Sequence, residues 1–127
     1  MAISIILGSN HLERLEFAAM TAFLASTMGE DVEIFATMDA VKAFCKTPSV
    51  LCEAESAKRI AEKENGGKYV DYLKKAKNGG KLRLTACSMA SSLFGLKKED
   101  FTELVDGIGG LTSFLDSSEG RRLIDIW

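Results

Sequence analysis

The sequence predicts an α/β fold: one domain built on a mostly parallel open sheet of about five strands, with helices on both faces. Three observations predict it. Short apolar bursts recur along the chain, at "AISIILGSN", "DVEIFAT", Leu82 to Ala86 and "RRLIDIW", with "VDGIGG" as a further short strand or a turn. Segments with helical spacing separate them. The chain has 127 residues, which suits one core without disulfide staples. Residues 1–127 are therefore read as a single domain without a linker or an internal repeat.

The first burst ends in Gly8, Ser9 and Asn10, a turn that opens a helix. Helical spacing runs from Leu12 to Met28, with Gly29 as C-terminal cap. One apolar stripe of this helix is Leu12, Leu15, Ala19, Ala22 and Phe23; a second is Phe17, Met20, Leu24 and Met28. One sheet does not cover both, so the second stripe points to a subunit interface. Val32, Ile34 and Phe35 mark the second strand, and "MDAVKAFCK" a short helix that must finish before Pro48. Residues 47–67 are ambiguous: "EAESAKRIAEKEN" is charged, with good helix formers and a poor apolar face, and reads as a mobile flap, an inserted segment or an exposed helix. Tyr69, Tyr72, Leu73 and Ala76 mark a helix that ends at Asn78-Gly79-Gly80. The third strand, Leu82 to Ala86, carries Cys87 at its carboxyl end, followed by a helix from Ser88 to Phe94 that closes at Gly95. "KKEDFTEL" is a further helical piece. "LTSFLDSS" is a helix with Leu111, Phe114 and Leu115 facing inward.

Composition narrows the class. The net charge of −2 gives no general reason to bind nucleic acid or an anionic membrane. No window approaches membrane-spanning length, and the opening residues lack the basic start and long apolar run of a signal peptide. The three cysteines, Cys45, Cys52 and Cys87, are an odd number, so a cytoplasmic protein with reduced thiols is expected.

Cys87 is the residue with a chemical argument behind it. Sheets of this class place ligands beyond the carboxyl ends of their strands. At a helix start, unpaired N–H groups and the helix dipole favour negative charge, which stabilises a thiolate. Ser88, Ser91 and Ser92 are candidate hydroxyl donors. The competing role for Cys87 is a space-filling thiol behind a strand. Other motifs are absent: no arginine closes a phosphatase-type loop after Cys87, and no C-x-x-C occurs. Cys45 and Cys52 are separated by six intervening residues, neither a redox pair nor a zinc spacing. His11, the single histidine, reads as an exposed residue near the first helix. "LGSN" lacks both the dinucleotide fingerprint and the Walker lysine. Gly107, Gly109 and Gly110 allow close backbone approach or simply tight turns.

Four pieces together resemble the DsrE/DsrF-like sulfur-relay family, which includes TusD-type proteins: "ISIILGSN", "VEIFATMDAVKAF", "LRLTACSMASSLFGLKKEDF" and "DGIGGLTSFL". The resemblance spans most of the chain, except residues 47–67. It implies an open α/β sheet, a homo-oligomer that is trimeric or hexameric, and a cysteine that receives and passes on sulfur. Cys87 matches that cysteine. The expected activity is that of a cytoplasmic sulfur carrier or sulfurtransferase with no metal or organic cofactor, meeting a sulfur donor and an acceptor. Ser88 and Met89 beside the thiol, Thr37 and Met38 after the second strand, and Gly109 and Gly110 by proximity in the family fold are the expected substrate-binding residues. The alternatives are a non-catalytic oligomeric scaffold and a thiol redox protein pairing Cys87 with Cys45 or Cys52.

Overall fold

A computed structural model describes residues 2–64 and 68–127. Five strands form one sheet: β1 (Ile3–Leu7), β2 (Val32–Ala36), β3 (Leu82–Cys87), β4 (Gly107–Gly109) and β5 (Arg122–Ile126). Their order is β4-β3-β2-β1-β5, and every pairing is parallel. Five α-helices accompany them: α1 (Leu12–Thr27), α2 (Glu55–Glu64), α3 (Tyr69–Asn78), α4 (Ser88–Leu93) and α5 (Leu111–Ser117). The segment after β2, Met38–Phe44, is a tighter 3₁₀ helix.

Alternation along the strands sends side chains to two different faces. Ile5, Ile34 and Leu84 stand side by side in register and are wholly buried. They share their face with Ile3, Leu7, Val32 and Ala36, beneath α1 and α3. The first stripe of α1 faces this core: Leu12, Leu15, Ala19 and Ala22 are buried. Phe23 is half-buried, with its ring 5.5 Å from that of Tyr72 on α3. Deleting one such aliphatic side chain from a packed core costs about 2–5 kcal/mol.

The opposite face carries Ser4, Ile6, Glu33, Phe35, Arg83 and Thr85, and among the described helices the short α5 lies on it. Phe114 stacks on Phe35 with ring centroids 4.9 Å apart. Ser118 donates to the buried Ser4 hydroxyl at 3.0 Å, and Arg121 donates to the same oxygen at 2.8 Å. This network satisfies the polar atom that the apolar first strand takes into the interior. Helices therefore do occupy both faces, but unequally. Leu111 and Leu115, expected to face inward, are about half exposed, and of the three only Phe114 is buried. A two-turn helix reaches the sheet with a single large side chain.

Other expectations shift. "KKEDFTEL" forms only the single turn Lys98–Asp100. Within residues 47–67, the chain from Ser49 to Leu51 is tied to the β1 turn. Asn10 donates from Nδ2 to the Ser49 carbonyl at 3.1 Å, Leu51 N–H reaches Asn10 O at 2.9 Å, and Leu12 N–H reaches Leu51 O at 2.8 Å. Residues 65–67 lie outside the described residues. The second stripe of α1, Phe17, Met20, Leu24 and Met28, is exposed, and no charged residue occurs between Phe17 and Gly29.

Tyr69 anchors α3 to the 3₁₀ segment: its hydroxyl donates to the Ala43 carbonyl at 2.9 Å, and its ring meets Phe44 edge-on. Burial holds this phenol above its usual range. The folded chain thus retains a proton that the unfolded chain releases near pH ~10. Its contribution to stability is complete below that pH and is lost as pH rises toward the raised folded value. Tyr69→Phe should cost about 1–3 kcal/mol at neutral pH, because the Ala43 carbonyl stays buried without its donor. Urea titrations between neutral pH and pH ~11 should show the variant losing less stability with alkali than the parent.

Candidate functional site

Parallel pairing brings the carboxyl ends of all five strands to one edge. Cys87 is the last residue of β3 and the N-cap of α4, with extended backbone (φ −60°, ψ 127°). β3 becomes a helix there because Ser88-Met89-Ala90-Ser91-Ser92 offers no β-branched residue to continue the strand. The Ala90 N–H donates to Cys87 Sγ at 3.5 Å, so the cap is the thiol itself. Among the described residues, no serine hydroxyl donates to that sulfur. Ser88 is exposed at its side, Ser92 is exposed, and Ser91 is buried with its Oγ unpartnered.

A cleft of about 230 Å³ opens at this edge, and Cys87 lines it. Cys87 is only 4% exposed. Its neighbours in the cleft wall include side chains that are themselves open to solvent: Met38, Met89, Leu111 and Trp127. Ile6 from β1 and Phe35 from β2 form the floor, and Thr37 and Ser88 complete the lining. The walls thus come from the ends of β1, β2 and β3 and from the residue that follows β5. Met38 holds its place with φ +49°, a left-handed conformation that costs a side-chain-bearing residue about 1–3 kcal/mol. That turn lets the chain leave β2 sharply and set Met38 beside the cleft.

Four expected site residues, Ser88, Met89, Thr37 and Met38, therefore line the cleft with Cys87. Gly109 and Gly110 do not. Gly109 is the cross-strand neighbour of Cys87 in register, yet the two glycines line a separate groove of about 260 Å³ beside Glu33, Arg83 and Ser117. Without side chains they do not reach over the strand ends, and Leu111 forms the wall there instead. Asp106 keeps this region in place: its carboxylate accepts from the Leu84 N–H at 2.7 Å and pairs with Lys77.

Ile6, Phe35, Leu111 and Trp127 were not anticipated as site residues. Alternation offered a signal for two of them, since Ile6 and Phe35 are the apolar residues on the face opposite Ile5 and Ile34. The other two cysteines stand apart from the cleft. All three are free thiols. Cys45 donates to the Val41 carbonyl at 3.6 Å, and burial, with Asp100 second, pushes its thiol up. Cys52 is exposed. His11 is half-buried as the N-cap of α1, 3.8 Å from Glu53. Among the described residues, no group of three or more His, Cys, Asp or Glu side chains is arranged to hold a metal ion. No described helix is long and apolar enough to cross a membrane.

Trp127 is the single tryptophan and packs on Gly8, where an added Cβ would come within 2.2 Å of the indole. Gly8→Ala should therefore displace the ring and shift its emission to the red. The stability cost should stay below about 1 kcal/mol, because the ring is exposed and free to move. Alkylation of Cys87 should alter the same emission, whereas alkylation of Cys52 should not; a fluorimeter and peptide mapping check both.

Comparison with known proteins agrees with this architecture. No curated protein matches the sequence. Among solved structures, protein MTH1491 of unknown function from Methanobacterium thermoautotrophicum superposes with a TM-score of 0.67 at 15% identity, covering 98% of this chain and 97% of its own. The ychN protein from E. coli superposes with a TM-score of 0.66 at 15% identity, covering 98% and 99%. BT1422 from Bacteroides thetaiotaomicron, also of unknown function, gives 0.58 at 14% identity over 98% and 94%. These likenesses establish the fold. The model of the DsrE/DsrF-like family matches residues 1–124, and with nearly the whole chain covered, this protein belongs to the DsrE/DsrF-like family.

Proposed function

We propose that the protein is a sulfur carrier or sulfurtransferase that moves sulfane sulfur through Cys87. The observation that carries this reading is the placement of the thiol. It caps a helix, receives one main-chain N–H, and lines a cleft at the strand edge where folds of this class bind ligands. Family membership is compatible with sulfur relay.

The chemistry needs no electron carrier. The Cys87 thiolate attacks the outer sulfur of a protonated persulfide donor, R–S–SH. A new S–S bond forms at Cys87 as the donor S–S bond breaks, and the electron pair leaves on R–S⁻. An acceptor thiolate then attacks the outer sulfur of the Cys87 persulfide, and Cys87 leaves as thiolate. The Ala90 N–H holds the sulfur that carries charge before capture and after release. Ser88, Met89, Thr37 and Met38 flank the added sulfur.

The same proposal places the protein in the cytoplasm as a trimeric or hexameric homo-oligomer, working with a donor and an acceptor of sulfur. The uncharged, exposed stripe of α1 supports association, since a soluble monomer rarely leaves such a row uncovered. The low exposure of Cys87 favours a second reading, a non-catalytic scaffold in which the thiol only packs. The redox alternative has less support, because neither Cys45 nor Cys52 lines the cleft.

Incubation with polysulfide, followed by trapping and peptide mapping, separates these readings. Addition of sulfur at Cys87, its complete loss in Cys87→Ser, and its discharge to an added thiol are the expected results. A folded protein whose Cys87 stays unmodified while exposed Cys52 reacts would identify the scaffold. A disulfide joining Cys87 to Cys45 or Cys52 would identify the redox protein.

A further inference from the structure

Resting on the Cys87 reading above, we infer that the cleft selects uncharged sulfane donors, such as organic trisulfides, over sulfur oxyanions such as tetrathionate. Among the described residues, its lining contains no lysine, arginine, histidine, aspartate or glutamate. Six of the nine lining residues are Ile6, Phe35, Met38, Met89, Leu111 and Trp127. An oxyanion entering this space sheds water and meets no cationic side chain, and the Ala90 N–H is already given to the Cys87 sulfur. A chain of divalent sulfur atoms loses little hydration there and gains contacts with the two aromatic rings.

The nearby cations are engaged elsewhere. Lys42, on the 3₁₀ segment after Met38, binds Asp39 at 2.9 Å and stands over the Phe94 ring at 4.9 Å. Arg14 lies in the adjoining groove on the Gly8 side of Trp127, and Asp39 lines that groove too. The charge beside Met38 in sequence is thus an acid already paired with Lys42, and the pair brings no net positive charge to the cleft.

With a trisulfide, R–S–S–S–R, the Cys87 thiolate attacks the central sulfur. The Cys87–sulfur bond forms as one S–S bond breaks, leaving Cys87–S–S–S–R. The departing R–S⁻ takes a proton from water. With tetrathionate the same attack leaves Cys87–S–S–SO₃⁻ and expels thiosulfate, so two anionic products share an apolar cleft.

The test uses diallyl trisulfide and tetrathionate at equal concentration, with the rate of Cys87 modification followed by quenched peptide mapping. The same chain unfolded in urea supplies the intrinsic reactivity ratio of the two reagents. Folding should raise the trisulfide-to-tetrathionate ratio at Cys87 by about tenfold or more. Met89→Lys and Leu111→Lys, both at half-exposed positions, place an ammonium at the cleft and should return the ratio toward the unfolded value with circular dichroism unchanged. A folded ratio equal to or below the unfolded one, with Cys87 still modified, would overturn the selectivity and leave the sulfur-carrying reading intact. Absence of modification by either reagent would overturn both.

Discussion

Every strand of this sheet runs the same way, so every strand end reaches the same edge, and at Cys87 the chain changes from strand to helix on that edge. The site depends on this junction. Register with Ala36 and Gly109 fixes the height at which β3 stops. The Ala90 amide, in the first turn of α4, then points back at the last side chain of the strand. A cysteine two residues earlier would sit at the Thr85 position under α5, beside a polar groove rather than the apolar cleft.

The two faces of the sheet divide the work. One is closed by α1 and α3 over large aliphatic side chains and supplies most of the core. The other is held by Phe114 on Phe35 and by the hydrogen bonds around Ser4, and it stays partly open toward the strand ends. That openness leaves room for a cleft without an inserted domain. It also leaves Leu111, Leu115, Leu123 and Trp127 half exposed.

Much of this was legible in the sequence because it is local. Apolar bursts of strand length mark four strands, while "VDGIGG" reads equally as a strand or a turn, and Cys87 falls at its junction because a strand pattern stops where small residues begin. Thr37, Met38, Ser88 and Met89 followed from their positions after β2 and β3. The failures are non-local. No pattern near Trp127 reveals that β5 crosses to the far side of β1 and delivers an indole to the cleft. Gly109 and Gly110 were expected in the wall from the family resemblance; Gly109 does pair with Cys87 in register, but the wall is built by side chains, which glycine lacks. Leu111 and Leu115 have the spacing of buried residues, yet α5 lies over the sheet through Phe114 alone.

The central claim is that the Cys87 sulfur, small as its exposure is, faces the cleft and accepts sulfur there. A crystal structure of the protein after reaction with a sulfane donor tests it most directly, with anomalous scattering locating the added atom. The account predicts new sulfur bonded to Cys87 Sγ, lying among Phe35, Met38 and Trp127. An unmodified Cys87 packed against the core, with added sulfur found only on Cys52, would contradict it.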